Sequence, residues 1–161
     1  MTASVVQCNQ PDTREWSDNP IDGVIAQDPR AEFPAVSGRY VVYVGNACPW
    51  CHRVSLTVAL RGLQDRVQVV KMTDDAERAS RGGWVFEPGA AATRDPVFGA
   101  ADLREVYDAA VPAVASPYRG RCTAPFMVDG TRRRAVNNEV GLVNPQLNPQ
   151  LNTVESSLHI S

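Results

Sequence analysis

The stretch from Gly38 to Met72 constrains the fold most, because two strand-like runs flank a helical pattern there with little between them. "RYVVYV", Arg39 to Val44, is a β-branched and aromatic run introduced by Gly38 and ended by Gly45-Asn46. From Pro49 the pattern changes to Val54, Leu56, Val58, Ala59 and Leu60, with Gly62 as a stop signal, which predicts a short helix with proline in its first turn. "RVQVVKM", Arg66 to Met72, reads as a second strand. Strand, helix and strand in such close succession make a parallel βαβ unit with a right-handed crossover.

Further along, "AADLREVYDAAVPAVA" puts Leu103, Val106, Tyr107 and Ala110 on one face of an amphipathic helix that fades before Pro112. "APFMVDG" and "RRRAVNN" then read as an antiparallel hairpin, with a strand from Phe126 to Val128, a turn at Asp129-Gly130 and a second strand ending near Val136. The order βαβ then αββ is that of an α/β, thioredoxin-like domain. One more helix, from about Asn138-Glu139, would complete it, but Gly141, Pro145 and Pro149 fall inside that stretch. An interior proline costs about 3 kcal/mol, so any helix there is limited to a turn or two. The expected organisation is an extended arm over 1–38, punctuated by Pro11, Pro20, Pro29 and Pro34; a thioredoxin-like domain over 39–139; and an irregular tail over 140–161. Within the domain, Thr73 to Gly99 reads as a long irregular connection.

Composition excludes some partners. With 16 Lys plus Arg against 18 Asp plus Glu, the net charge of -2 provides no broad cationic field, so nucleic acid is not an expected partner. No apolar run reaches the length of a membrane span, and Val5-Val6 is the only apolar pair near the start, so a soluble, cytoplasmic chain without membrane contact is expected. Four cysteines (Cys8, Cys48, Cys51, Cys122) are sparse for a secreted disulfide scaffold.

The chemistry concentrates in Cys48-Pro49-Trp50-Cys51-His52. Two thiols at this spacing can form a redox pair, half of a zinc site or a haem anchor. Haem requires export and a second axial ligand, and an abutting strand is the wrong context for it. Zinc needs four ligands, yet no second C-x-x-C or H-x-H pair occurs, and Cys8, Cys122 and His159 fall at no usual spacing, so no metal is expected. What remains is a nucleophilic thiol at a strand-to-helix junction. Unpaired N–H groups and the positive end of the helix dipole favour a thiolate at Cys48, and Arg53 one turn on adds positive charge. Cys51, partly covered one turn further, reads as a resolving thiol for a mixed disulfide at Cys48. Two buried cysteines without a role form the bland alternative. Trp50 reads as a surface contact beside the nucleophile, His52 as a polar position in the first turn, and Cys122 as a small buried hydrophobe. Arg132-Arg133-Arg134 reads as a solvated hairpin edge.

"FPAVSGRYVVYVGNACPWCHRV", Phe33 to Val54, resembles the glutathionyl-hydroquinone reductases, the Xi class of glutathione transferases related to the Omega class. "GGWVF" (Gly82 to Phe86), "DPVFGAADLREVY" (Asp95 to Tyr107) and "YRGRCTAPFMVDGTRRRAVNNE" (Tyr118 to Glu139) match in the same order, so the resemblance covers about Phe33 to Glu139. It implies a glutathione-binding thioredoxin fold, with glutathione as co-substrate and Cys48 as the nucleophile that deglutathionylates a small electrophile such as a glutathionyl-hydroquinone. A Cys48-glutathione mixed disulfide would then be released by a second glutathione. The resemblance further implies that Ala124 presents its backbone to the cysteinyl part of glutathione, that Pro125 is cis, that Trp84 flanks the tripeptide and that Glu139 binds its γ-glutamyl amino group. Arg121 matches a family position.

Three departures open alternatives. Cys51 stands where the family usually has alanine, which allows a glutaredoxin-like dithiol oxidoreductase working through Cys48 and Cys51. Val140 stands where the family has a serine for the γ-glutamyl carboxylate, and a lost charge-assisted hydrogen bond costs about 1.5 to 3 kcal/mol. The family's C-terminal helical domain has no counterpart after Glu139. The chain therefore also reads as a truncated, catalytically weak or non-catalytic remnant, without the family-type homodimer.

Overall fold

The computed structural model describes residues 21–75, 77–79, 83–87, 95–111 and 118–139. Two short strands, β1 (Ile25–Ala26) and β2 (Phe33–Pro34), pair in parallel ahead of the domain proper. β3 (Tyr40–Gly45), α1 (Pro49–Leu60) and β4 (Val67–Asp74) then form the expected parallel βαβ unit. β5 (Trp84–Val85), α2 (Leu103–Ala110), β6 (Phe126–Asp129) and β7 (Arg134–Asn137) follow. The strands form a five-stranded sheet in the order β5-β4-β3-β6-β7, in which only β3 and β4 are parallel neighbours. This is the thioredoxin-like fold the sequence predicts.

β3 is apolar throughout because both faces of this central strand are covered. Tyr40, Val42 and Val44 pack with Val54 and Val58 of α1, whereas Val41 and Tyr43 pack with Leu103, Val106, Tyr107 and Ala110 of α2. The alternation along one strand thus joins two cores, one on each face of the sheet. Gly62, with φ +62°, ends the turn after α1, a left-handed conformation that glycine adopts without strain. α2 is capped by Asp102, whose Oδ1 accepts from Glu105 N at 2.9 Å while Glu105 Oε2 accepts from Ala101 N at 2.8 Å. Among the described residues no helix is long and apolar enough to cross a membrane.

Several details differ from the sequence reading. The hairpin turn spans Gly130 to Arg133 instead of closing tightly at Asp129-Gly130. The cause is the buried Asp129 carboxylate, which accepts from Thr131 N and Arg132 N at 3.0 Å each and from Arg39 Nε at 3.0 Å. β4 continues to Asp74 because β5 pairs with its end, so an antiparallel bridge lies within the stretch read as irregular. From Ile21 onward the arm docks on the domain: Asp22 bridges Asn137, and Ile25 and Phe33 join the core on the α1 side. The remainder of the arm (1–20), the final helix, Val140 and the tail lie outside the described residues.

Candidate active site

Cys48 is the N-cap of α1, with extended backbone angles, and its Sγ accepts from Cys51 N at 3.4 Å. Pro49 occupies the first helical position, where no intrahelical N–H bond is lost. The side chain is partly exposed, and Sγ lies 3.5 Å from Ala124 O, to which the thiol can donate. The sulfur thus sits between a helix N-terminus and the segment before β6. The Ala124–Pro125 peptide bond is cis, as the resemblance implies.

Cys51 has a different environment. It is 1% exposed, and its Sγ accepts from Gly45 N at 3.1 Å. Burial pushes its thiol up to about 12; the Gly45 N–H partly opposes this, and neighbouring Cys48 adds to it. Trp50 and His52 are exposed, and the Arg53 guanidinium lies 4.9 Å from the centre of the Trp50 ring.

Gly45 also fixes Trp84. A Cβ at Gly45 would lie 2.3 Å from Trp84 Cζ3, so the indole rests directly on the end of β3. Trp84, Arg121, Cys122, Thr123 and Ala124 line an open cleft of about 390 Å³. The far wall is tied to α2, since Tyr107 OH donates to Thr123 O at 2.8 Å. Asn138 Nδ2 donates in turn to Tyr107 OH at 3.2 Å. Glu139 is exposed just beyond β7, its N–H donating to Asn137 Oδ1 at 2.7 Å, and it is not among the cleft-lining residues. The structure therefore brings Cys48, Cys51, Ala124, Pro125 and Trp84 to one end of the sheet, and Glu139, two residues past the Asn137–Met127 pair, lies at that same end outside the cleft lining.

Arg104 went unread in the sequence, and Cys122 was read only as a small buried hydrophobe. Arg104, buried on α2, pairs with Asp108 and reaches Cys122; the Arg-Asp spacing of i, i+4 is its sequence signal. Cys122 is only half-buried and lines the cleft, in place of the buried position expected of it.

A thiol that caps a helix beside a cis-proline segment can exchange disulfides with a ligand in the adjoining cleft. The profile of the glutathione S-transferase N-terminal domain matches residues 47–143, and the chain belongs to the glutathione S-transferase family. Its similarity lies on the Xi-class side of that family. Over 109 residues the chain is 39% identical to the glutathionyl-hydroquinone reductase PcpF of Sphingobium chlorophenolicum, covering 68% of this chain and 33% of that protein. The Xi-class transferase from Natrialba magadii superimposes with a TM-score of 0.74 at 32% identity, covering 89% of this chain and 43% of that one. The glutathione-bound structure of YqjG, a glutathione transferase homolog from Escherichia coli K-12, gives 0.68 at 27% identity, covering 81% and 43%. The chain spans 33% to 37% of the length of the curated relatives it matches.

Proposed function

We propose that this chain is the glutathione-binding part of a glutathione-dependent transferase or reductase, with Cys48 as nucleophile and a small glutathionylated electrophile of the glutathionyl-hydroquinone kind as substrate. The observation that carries this reading is the position of Cys48 Sγ between the Cys51 N–H and the Ala124 carbonyl, beside the cleft under Trp84. The names of PcpF and YqjG support the substrate class.

In the proposed cycle the Cys48 thiolate attacks the thioether sulfur of the substrate. The carbon–sulfur bond breaks, its electron pair stays on the ring carbon, and that carbon takes up a proton to give the hydroquinone. A Cys48-glutathione disulfide remains. The thiolate of a second glutathione attacks it, releasing glutathione disulfide and regenerating Cys48. Ala124 would bind the cysteinyl part of glutathione through its backbone, with Pro125 shaping the segment, Trp84 flanking the tripeptide and Glu139 taking the γ-glutamyl amino group. The burial of Cys51 favours a monothiol cycle over the dithiol one.

Cys48→Ser is expected to abolish reduction of a glutathionyl-hydroquinone in the presence of glutathione, measured as hydroquinone release. A variant that keeps more than about a tenth of the wild-type rate would refute the assignment, since a serine hydroxyl is far too weakly acidic to replace a thiolate.

A further inference from the structure

Two segments at the Cys48 end of the sheet are joined by a single hydroxyl that no step of the proposed cycle uses. Tyr107 of α2 is fully buried. Its ring lies flat against Phe126, with centroids 3.9 Å apart and planes at 10°, and stacks on Tyr118 at 5.0 Å. Packing against two rings fixes where the hydroxyl points. It donates to Thr123 O at 2.8 Å, accepts from Asn138 Nδ2 at 3.2 Å and lies 3.5 Å from Thr123 Oγ1. Burial pushes its ionisation well up, so the proton given to Thr123 O stays in place around neutral pH.

The bond to Thr123 O controls the next residue. Thr123 O and the Ala124 N–H belong to one planar peptide unit, which is trans, since the cis bond falls one position later, between Ala124 and Pro125. C=O and N–H point in opposite directions in a trans unit, so anchoring the carbonyl on α2 turns the Ala124 N–H away from α2. That N–H meets no acceptor among the described residues, and Ala124 lines the cleft. It is a strong donor left for a ligand. The second contact of the hydroxyl reaches the segment after β7, because Asn138 directly precedes Glu139.

We propose that Tyr107 is a positioning residue for glutathione. Through Thr123 O it presents the Ala124 N–H to a backbone carbonyl of the tripeptide, and through Asn138 it sets the distance from that N–H to Glu139. The assignment rests on the function proposed above, in which Ala124 and Glu139 hold different parts of glutathione. Removing the hydroxyl leaves the stacked rings in place and frees the peptide plane, so the effect falls on binding and spares the sulfur chemistry.

The test compares the full chain carrying Cys48→Ser, which forms no mixed disulfide at that position, with the same chain also carrying Tyr107→Phe, by calorimetric titration with reduced glutathione. The dissociation constant is expected to rise about three- to tenfold, the worth of one ordinary hydrogen bond. Tyr107→Phe also lowers stability, so Val106→Ala is the control: it loosens the same core without touching the hydroxyl and should bind within about twofold of the parent. Asn138→Ala should weaken binding when Tyr107 is present and add less than about twofold to Tyr107→Phe, since both act through one oxygen. In chains that keep Cys48, Tyr107→Phe should raise KM for the glutathionylated substrate and leave kcat within about twofold. Unchanged affinity in Tyr107→Phe, or an equal loss in Val106→Ala, overturns the positioning role alone, and additive losses with Asn138→Ala overturn the link to Glu139. Turnover that survives Cys48→Ser overturns the Cys48 cycle alone, whereas no saturable binding by the Cys48→Ser chain removes both.

Discussion

Cys51 should remain an unreactive thiol until strongly alkaline pH. A thiol pushed up to about 12 is ionised to roughly three parts in 10⁵ at pH 7.5, against about three parts in a hundred at the ordinary value of 9.0. Since the thiolate is the species that reacts, alkylation of Cys51 in the folded protein is expected to be about a thousandfold or more slower than that of an unfolded control. Iodoacetamide labelling of the Cys48→Ser chain, followed site by site by mass spectrometry from neutral to alkaline pH, measures this directly. The same shift acts on stability. Between the ordinary value of 9.0 and about 12, the folded state keeps the Cys51 proton that the unfolded chain releases. The folded state therefore binds more protons, and this stabilisation, fully present below the window, is lost as pH rises through it, at up to about 1.4 kcal/mol per pH unit. Cys51→Ala should accordingly keep a glutathione-linked rate close to that of the parent near neutral pH. Labelling of folded Cys51 within tenfold of the unfolded control, or loss of more than nine-tenths of the turnover in Cys51→Ala, would refute the reasoning and restore the dithiol cycle.

Two further substitutions probe the frame of the site. In Gly45→Ala the new methyl meets Trp84 Cζ3 at 2.3 Å, so the indole or the end of β3 must shift, at about 1 to 3 kcal/mol for an overpacked site. Chemical denaturation should show that loss together with weaker glutathione binding, and the loss should shrink when Trp84→Ala is added; an unchanged loss in the double variant would remove Trp84 as the cause. Asp95 is buried and accepts from Val97 N, Phe98 N and Ala100 N at 3.0 Å each and from Tyr43 OH at 2.6 Å. Asp95→Asn turns one acceptor into a donor facing donors, for an expected loss of about 3 kcal/mol by urea unfolding; a loss below about 1 kcal/mol would show that the loop reorganises around it.

The sequence made the elements with long, strongly patterned runs legible. β3, α1, β4 and α2 were readable because each buries a face that fills several consecutive periods, and Gly62 marks the close of α1. β1, β2 and β5 escaped because each has two residues, too few for an alternation to appear. The turn after β6 was misjudged because Asp129-Gly130 carries a strong local signal for a tight hairpin. The Asp129 side chain instead bonds the backbone ahead of it and an arginine 90 positions away. The same limit applies to the site: the nucleophile was visible in one short motif, whereas the cover on Cys51 and the contact of Arg104 with Cys122 depend on pairings between distant segments.

Strand register explains why a cleft forms beside Cys48 at all. β3 and β4 run in parallel, with Gly45 opposite Met72, so both strands finish at the same edge of the sheet. β6 runs the other way, pairing Phe126 with Tyr43, so it begins at that edge and the residues leading into it, Arg121 to Pro125, gather there. β5 folds back on the last residues of β4, with Trp84 opposite Asp74, which lays the indole over Gly45. Three connections thus converge on one end of a sheet whose register is fixed by a core on each face. A one-residue slip of β6 against β3 would exchange Val128 and Met127 between the two cores and would also carry Ala124 away from the Cys48 sulfur. The packing that opposes the slip therefore also sets the separation between the nucleophile and the carbonyl beside it.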